Sequence, residues 1–196
     1  SSAIFACNLS VLGAPVSFCG CVGKDAFGAV VLKDLDAKGV DVTHVKKSDT
    51  TDTGITIAFS YKEDRAMVTV QGAMKELREH DITDSMLEHA THLHVSSIFL
   101  QPGLKPDITT LFNRAKRWGL TTSFDPQWDP AEKWDCAWEE LLPYVDVFFP
   151  NLSELKQITQ KNDLYEAIEV IKAYSNTIVV KNGHEGAIIC TGDDMF

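Results

Sequence analysis

Asn151 and Glu154 are the first pair of side chains whose types and spacing suit phosphate chemistry. They lie three residues apart at a predicted helix start, so both can face one ligand. Amide and carboxylate oxygens are ligands that Mg²⁺ accepts, often through water, and Mg²⁺ accompanies phosphate. The same spacing also fits a capping box, in which Asn151 begins the helix and Glu154 completes the cap. Spacing alone favours the cap.

A glycine-containing segment supplies a second candidate for phosphate binding. Lys181, Gly183 and Gly186 form a K-x-G-x-x-G pattern between two apolar runs, at 178–180 and 187–190. Glycines after a strand let the backbone approach a ligand and leave N–H groups available for phosphate. The alternative is a tight turn between two strands. The lysine at the strand end favours the nucleotide interpretation.

Three other patterns suggest chemistry that the residues do not support. Residues 20–28 lack both the Walker A and the dinucleotide-binding spacing, so Asp25 is better explained as a helix cap. His92 and His94 share one side of a strand, but no second pair completes a zinc site, which favours two histidines satisfied by protein partners. Gly192 opens a segment that is better explained as the turn of a β-hairpin than as a catalytic Gly-Asp motif.

Composition excludes several classes of protein. The 196 residues include 18 basic and 28 acidic side chains, a formal net charge of −10, which disfavours nucleic acid and anionic membranes as partners. Hydrophobic residues make up 44%, as in a globular protein. No apolar run reaches the roughly 20 residues that span a bilayer, and no signal segment opens the chain. Five scattered cysteines favour a reduced, cytoplasmic protein over a disulfide framework.

The order of predicted elements indicates an α/β protein. A first helix, residues 1–12, has Ile4, Cys7 and Val11 on one face. A strand at 16–21 follows, and then a helix capped by Asp25 and ended by Gly39. Phe27, Val30, Val31 and Leu35 line one side of that second helix.

Residues 53–72 form a predicted hairpin outside the main sheet, with a charged turn at 62–64. Strands and helices then alternate, which requires a mostly parallel sheet. The predicted strands are 92–98, 120–124, 145–149 and 177–181, and the predicted helices are 106–118, 135–142, 153–159 and 164–174. Ligands bind at the carboxyl ends of such strands. Polar segments follow three of these ends, namely Asp125-Pro126-Gln127, Asn151-Leu152-Ser153-Glu154 and Lys181-Asn182-Gly183-His184-Glu185-Gly186.

Taken together, these segments resemble the ribokinase-like (PfkB) carbohydrate kinases nearly from end to end. Residues 1–13 resemble the helix after the family's Gly-Gly substrate turn. The remaining matches, in family order, are G-x-V-G-x-D-x-F-G at 20–28, Gly39-Val40-Asp41, Thr53-Gly54, Asp125-Pro126-Gln127 for D-P-N, N-x-x-E at 151–154 and K-x-G-x-x-G at 181–186.

The resemblance implies a ribokinase-like three-layer αβα sandwich with a mostly parallel sheet and a small β lid. Residues 1–196 would form a partial domain, and the 53–72 hairpin would contribute to the lid and pair two subunits as a homodimer. The implied activity is ATP-dependent phosphorylation of a small-molecule sugar hydroxyl, with Mg²⁺ and a monovalent cation such as K⁺. The site residues that it implies are Asn151 and Glu154 for magnesium and phosphates, Lys181, Gly183 and Gly186 for the nucleotide, and Ser1 and Ser2 for the sugar.

Several positions depart from the family pattern. Ile4 stands where many members have a sugar-binding Asn, and Gln127 replaces the Asn of D-P-N. The resemblance places the catalytic Asp of the family's G-A-G-D motif beyond residue 196, so no catalytic residue is assigned here. Ribose, fructose and 2-keto-3-deoxygluconate remain open as sugars. The alternatives are a non-catalytic sugar- or nucleotide-binding relative, an inactive fragment and, more weakly, an NAD-dependent sugar oxidoreductase.

Overall fold

The computed structural model describes residues 2–61 and 64–196. The chain divides into two compact units. The first contains the residues up to Arg78 together with Leu100–Leu104, and the second contains Glu79–Phe99 and Lys105–Phe196. The predicted charged turn falls largely on Lys62 and Glu63, which lie outside the described residues.

The described part of the first unit contains two α-helices and two small sheets. Its elements are α1 (Ser2–Val11), β1 (Gly20–Gly23), α2 (Ala26–Ala37), β2 (Val45–Ser48), β3 (Ile55–Tyr61) and β4 (Asp64–Val70). Strands β1 and β2 pair in parallel, and β3 and β4 pair antiparallel in a separate two-stranded sheet. This confirms that the hairpin lies outside the main sheet. Strand β1 begins later than predicted, and β2 was not predicted.

The apolar faces of both helices differ from the sequence expectation. On α1 only Cys7 of the expected face is buried, whereas Ile4 and Val11 are 67% and 70% exposed. The buried side of α1 is made of small residues, which let the helix approach its neighbours closely. On α2, Phe27 and Val30 are exposed as well. One cluster of buried residues in this unit consists of Ala6, Cys7, Leu35 and Val40, with Ala3, Val16, Phe18, Val31 and Val42 packed against it.

The second unit is built on a six-stranded sheet. Its strands are β5 (His92–Ser96), β6 (Thr121–Asp125), β7 (Val147–Phe148), β8 (Thr177–Lys181), β9 (Ala187–Thr191) and β10 (Asp194–Met195). The spatial order is β10-β9-β8-β7-β6-β5. Strands β5 to β8 are parallel and the last two are antiparallel. The predicted alternation and the terminal hairpin turn at Gly192, where φ is +58°, are confirmed.

Helices connect the parallel strands of this sheet. Helix α3 (Asp84–Glu88) precedes β5, and the connections between parallel strands contain α4 (Ile108–Arg117), α5 (Trp138–Leu141), α6 (Leu152–Thr159) and α7 (Leu164–Lys172). The apolar stripe predicted for α4 is confirmed, since Ile108, Leu111, Phe112 and Ala115 are its buried residues. Among residues 2–61 and 64–196, no helix combines the length and the apolar character needed to cross a bilayer.

Candidate functional site

The carboxyl ends of β6, β7 and β8 lie side by side and bring together side chains that are far apart in sequence. Lys181 ends β8, and its backbone N–H donates to the Pro150 carbonyl at 2.9 Å. Asn151 and Lys181 also form a parallel bridge just beyond β7. Asp125 ends β6. The strand register therefore places the aspartate, the asparagine and the lysine at one edge of the sheet.

Asn151 and Glu154 form a complete capping box at the start of α6. The Glu154 N–H donates to Asn151 Oδ1 at 2.8 Å, and the Asn151 N–H donates to a Glu154 carboxylate oxygen at 2.8 Å. The capping interpretation is therefore confirmed. Carboxylate and amide oxygens have more lone pairs than these bonds use, so the cap and a contact to magnesium are compatible.

The carboxylate of Glu154 is buried, with 3% of the residue exposed. Burial raises its pKa, while the Asn151 N–H bond and the positive charge of Lys181 act in the opposite direction. Two oxygen donors fit Mg²⁺, because this ion keeps several water or phosphate ligands and rarely takes an all-protein cage. In the described part of the chain, no group of three or more acidic, histidine or cysteine side chains could enclose a metal.

Lys181 forms an ion pair with Asp125 across the intervening strand β7. Its Nζ donates to Asp125 Oδ2 at 2.6 Å, and the two side chains are 42% and 19% exposed. The other oxygen, Asp125 Oδ1, is buried without a hydrogen-bond partner among the described residues. An ammonium has three donors, so Lys181 retains capacity to bind an anion at this edge. Both residues belong to predicted motifs, but the pairing between them was not predicted.

Gly183 and Gly186 lie in a turn that connects β8 to β9. Their φ values are +59° and +92°, a region that favours glycine. The Asn182 N–H donates to the Gly186 carbonyl at 2.8 Å and closes the turn. A Cβ at either glycine would meet no heavy atom within 4 Å. The turn interpretation is confirmed, and the open space beside both glycines fits the predicted approach of a nucleotide.

One residue at this edge, Ser97, was missed in the sequence, and its contact with Gln127 was not predicted. Ser97 follows β5, and its hydroxyl donates to Gln127 Oε1 at 2.9 Å. Both have left-handed backbones, with φ values of +60° and +58°. The Ser97 N–H donates to the Asp125 carbonyl at 3.1 Å. The only sequence signal was a pair of small polar residues, Ser96 and Ser97, at the end of an alternating strand.

A chain of hydrogen bonds fixes the protons on both histidines of β5. Thr121 Oγ1 donates to the Thr91 carbonyl at 3.2 Å, so it accepts from His92 Nδ1 at 2.7 Å. Neutral His92 then accepts the Ser123 hydroxyl proton on Nε2, at 2.7 Å. Ser123 Oγ in turn accepts from His94 Nδ1 at 2.8 Å. The prediction of a satisfied histidine pair is confirmed.

Burial keeps the imidazole of His94 neutral. Burial lowers its pKa to about 4, and the positive charge of Lys181 and the proximity of His92 act in the same direction. The negative charge of Asp125 opposes them.

The predicted sugar-side residues lie in the other unit of the chain. Ser1 lies outside the described residues, and Ser2 is the first residue of α1. Asn151, Glu154, Lys181 and the two glycines all belong to the second unit. The structure thus brings the predicted nucleotide and magnesium residues together at one sheet edge, and the role of Ser1 and Ser2 stays a prediction.

Comparison with known proteins gives the family. The sequence profile of pfkB family carbohydrate kinases matches residues 5–196. The chain belongs to this family. The 2-dehydro-3-deoxygluconokinase of Bacillus subtilis (strain 168) is 31% identical to it over 199 residues, which cover 95% of this chain and 61% of that protein. The ribokinase of Lactococcus lactis is 27% identical over 92% of this chain and 56% of its own length. This pfkB family chain therefore spans about three fifths of the length of these relatives.

Solved structures agree with the family assignment. A protein of E. coli described as a candidate ribokinase II, solved in complex with ATP and Mg²⁺, has a TM-score of 0.84 and 26% identity. The match covers 99% of this chain and 65% of that one. The predicted ribokinase-like α/β fold with a mostly parallel sheet is confirmed.

Proposed function

We propose that the protein, at the full length of its relatives, is an ATP-dependent sugar kinase that transfers the γ-phosphate to a sugar hydroxyl. The observation that carries this proposal is the convergence of Asp125, Asn151, Glu154 and Lys181 at one sheet edge in a pfkB family chain. Phosphoryl transfer needs positioning and neutralisation of phosphate charge more than covalent chemistry from the protein. A Mg²⁺ ion held by oxygen ligands would both position the phosphates and neutralise their charge.

Each residue has a separate part in this proposal. Lys181 Nζ, held in place by Asp125, binds a phosphate oxygen of ATP. Asn151 and Glu154 hold Mg²⁺, directly or through water, and when bound this ion neutralises the charge on the phosphates. Gly183 and Gly186 leave space for the nucleotide. Ser1 and Ser2 contact the sugar. A monovalent cation, K⁺, stimulates the reaction. The enzyme works in the cytoplasm.

The sugar that we propose first is 2-keto-3-deoxygluconate, with ribose and fructose as the other members of the panel. The reason is the relative that is named for the gluconate derivative and is 31% identical. ADP formation by the natural full-length protein, followed with each sugar in turn and with and without K⁺, tests the substrate and the cation together. Absence of sugar-dependent ADP formation across the panel would contradict the proposal.

Replacement of Lys181 tests the nucleotide contact. We expect Lys181→Met to raise KM for ATP by about tenfold or more, because hydrogen bonds to charged groups contribute about 1.5–3 kcal/mol. Lys172→Met is the matched control, since Lys172 is also ion-paired, on α7, but with Glu169. The control should change KM for ATP by less than about twofold. An unchanged KM in Lys181→Met would remove the lysine from the nucleotide site.

A non-catalytic sugar-binding relative is the second candidate. Ile4 stands at the position where many members have a sugar-binding Asn, and its side chain is exposed. Calorimetric binding of a sugar by the full-length protein, without turnover, would favour this alternative over the kinase.

We also propose that the hairpin pairs two copies of the protein. The β3–β4 register places Ile55, Ile57 and Phe59 on one face with Val68 and Val70. All five side chains are exposed, from 37% to 66%. The opposite face is more polar, with Thr56 and Thr69 hydrogen-bonded to each other at 3.0 Å. An apolar face of this kind matches a second copy of itself in a symmetric interface.

A further inference from the structure

The root of the β3–β4 hairpin is tied to the start of α2 by one carboxylate. Asp25 Oδ1 accepts the Gly28 N–H at 2.7 Å, which caps the helix. Asp25 Oδ2 accepts the Thr53 N–H at 2.6 Å, two residues before β3 begins. The Thr53 hydroxyl oxygen accepts the Gly23 N–H at 2.9 Å, where β1 ends. The start of α2 and the root of the hairpin therefore meet at one aspartate, and Thr53 joins the end of β1 to them.

The two arms of the hairpin also cross closely at this root. The Ala73 N–H donates to the Asp52 carbonyl at 2.8 Å. A Cβ at Gly54 would lie 2.3 Å from the Gln71 carbonyl oxygen. A Cβ at Gly72, where φ is +53°, would lie 2.4 Å from the Asp52 carbonyl oxygen. The backbones touch, so any movement of Thr53 is transmitted to both arms.

Within one copy of the chain, all seven residues of β3 are exposed. In the described part of the chain, β3 pairs with β4 and with no other strand. The bonds of Asp25 and Thr53 and the glycine crossing are therefore the contacts that orient the root of the hairpin.

We propose that Asp25 is a positioning residue that sets the orientation of the hairpin through Thr53. The inference rests on the proposed kinase function and on the lid role that the family resemblance implies for the hairpin. A lid excludes water, which otherwise competes with the sugar hydroxyl for the phosphoryl group. Loss of the Asp25–Thr53 bond loosens the lid without removing any group that touches ATP or sugar.

The carboxylate is needed for this role because it accepts two hydrogen bonds in different directions. Its bonds from the N–H groups of Gly28 and Thr53 lower the pKa of Asp25, so it stays ionised and accepts only. In Asp25→Asn the amide oxygen can still cap Gly28, but the NH₂ group then faces the Thr53 N–H, donor against donor. Asp25→Ser also caps a helix well but lacks the second acceptor.

Hydrogen exchange on the full-length protein is the first test. We expect the amides of Thr53, Gly54 and Ala73 to exchange about tenfold faster in both Asp25→Asn and Asp25→Ser. The matched control is Asp163→Asn, because Asp163 also caps a helix, α7, by accepting from Tyr165 and Glu166, and it belongs to the second unit of the chain. Unchanged exchange at the root in the Asp25 variants would overturn the proposal, whatever the activity of the enzyme.

The second test, made on the full-length protein, measures how tightly ADP release is coupled to formation of the sugar phosphate. We expect Asp25→Asn to release more than one ADP per sugar phosphate and to raise KM for the sugar by about tenfold, with KM for ATP within about twofold of wild type. Asp163→Asn should keep the one-to-one ratio. A ratio that stays at one, with an unchanged KM for the sugar, would overturn the positioning role. A full-length protein that makes no ADP with any sugar, but shows the faster exchange, would reject the kinase proposal and leave the structural role of Asp25 standing.

Discussion

The imidazole of His94 is kept neutral by its surroundings in the folded protein. Its pKa is about 4, compared with an ordinary value of 6.5, because burial outweighs the attraction of Asp125. Between these two pH values the unfolded chain binds a proton at His94 that the folded chain does not. The contribution of His94 to stability is therefore complete above pH 6.5 and is lost as the pH falls towards 4.

Replacement of His94 tests the direction of this pH dependence of stability. We expect the free energy of unfolding of the wild type to fall with decreasing pH in this window, with up to about 1.4 kcal/mol per pH unit from His94 alone. His94→Asn should lack that part of the slope, since its amide can still donate to Ser123 but does not titrate. Urea denaturation at several pH values measures it, with exposed His184→Asn as control. Identical profiles for the two variants would contradict the pKa shift.

Residue types were predicted better than residue pairs. The sequence indicated two satisfied histidines, but it did not indicate that Ser123 joins them. It also did not indicate that Lys181 pairs with Asp125, 56 residues earlier in the chain. Such pairs depend on strand order and register, which no local pattern contains. The positive φ values at Ser97 and Gln127 were not predicted for a related reason, because tertiary contacts hold these non-glycine residues in the left-handed region.

At the scale of elements, the start of α6 combines a structural and a chemical role. The capping box of Asn151 and Glu154 satisfies backbone groups that would otherwise lack partners at the helix start. The same oxygens are the proposed magnesium ligands. The two roles separate by experiment, because other helices of this unit have caps without any proposed ligand.

We expect Asn151→Ala to lower the free energy of unfolding by about 1 kcal/mol and also to lower kcat/KM for ATP in the full-length enzyme. Asn151→Asp should restore the stability, since aspartate caps helices equally well. Asp163→Ala is the control, because it removes the cap of α7 and should cost a similar free energy without a change in kcat/KM. Chemical denaturation and steady-state kinetics measure the two effects. Equal kinetics in both alanine variants would mean that Asn151 acts only as a cap.

Elements with a strong amphipathic pattern were predicted well, and elements packed by small residues were not. The stripe of α4 gave its four buried residues correctly. On α1 the buried face contains Ala6 and Cys7, while the larger Ile4 is exposed. A periodicity argument weights large apolar residues, whereas close packing against a neighbouring helix selects small ones. Strand β7 has two residues, which pair with β6 on one side and with β8 on the other.

At the scale of the whole molecule, the order of motifs along the chain was sufficient for the fold family, but the division into two units was not predictable. The first unit includes Leu100–Leu104, a segment that follows the first strand of the second unit. Such a return of the chain depends on contacts between residues distant in sequence. The separate sheet of the hairpin was predicted, because two alternating runs without an intervening helix indicate it.

The apolar hairpin face leads to a prediction about assembly. We expect the double variant Ile57→Thr, Phe59→Thr to shift the protein from dimer towards monomer, because it removes apolar area from that face and keeps strand propensity. Light scattering after size-exclusion chromatography, over a range of concentrations, measures the shift. Met67→Thr is the matched control, since Met67 is also exposed but lies on the opposite face. The same mass for all three proteins would reject pairing through this face.

The ion pair between Lys181 and Asp125 also restricts how this sheet edge can evolve. Loss of the lysine alone would leave a carboxylate that already has one oxygen without a hydrogen-bond partner among the described residues, and residues that share such a contact do not change independently in free energy. A neutral residue at one of the two positions is therefore tolerated best with a neutral residue at the other. In an alignment of relatives we expect the two positions to co-vary, with charged pairs and neutral pairs common and mixed pairs rare.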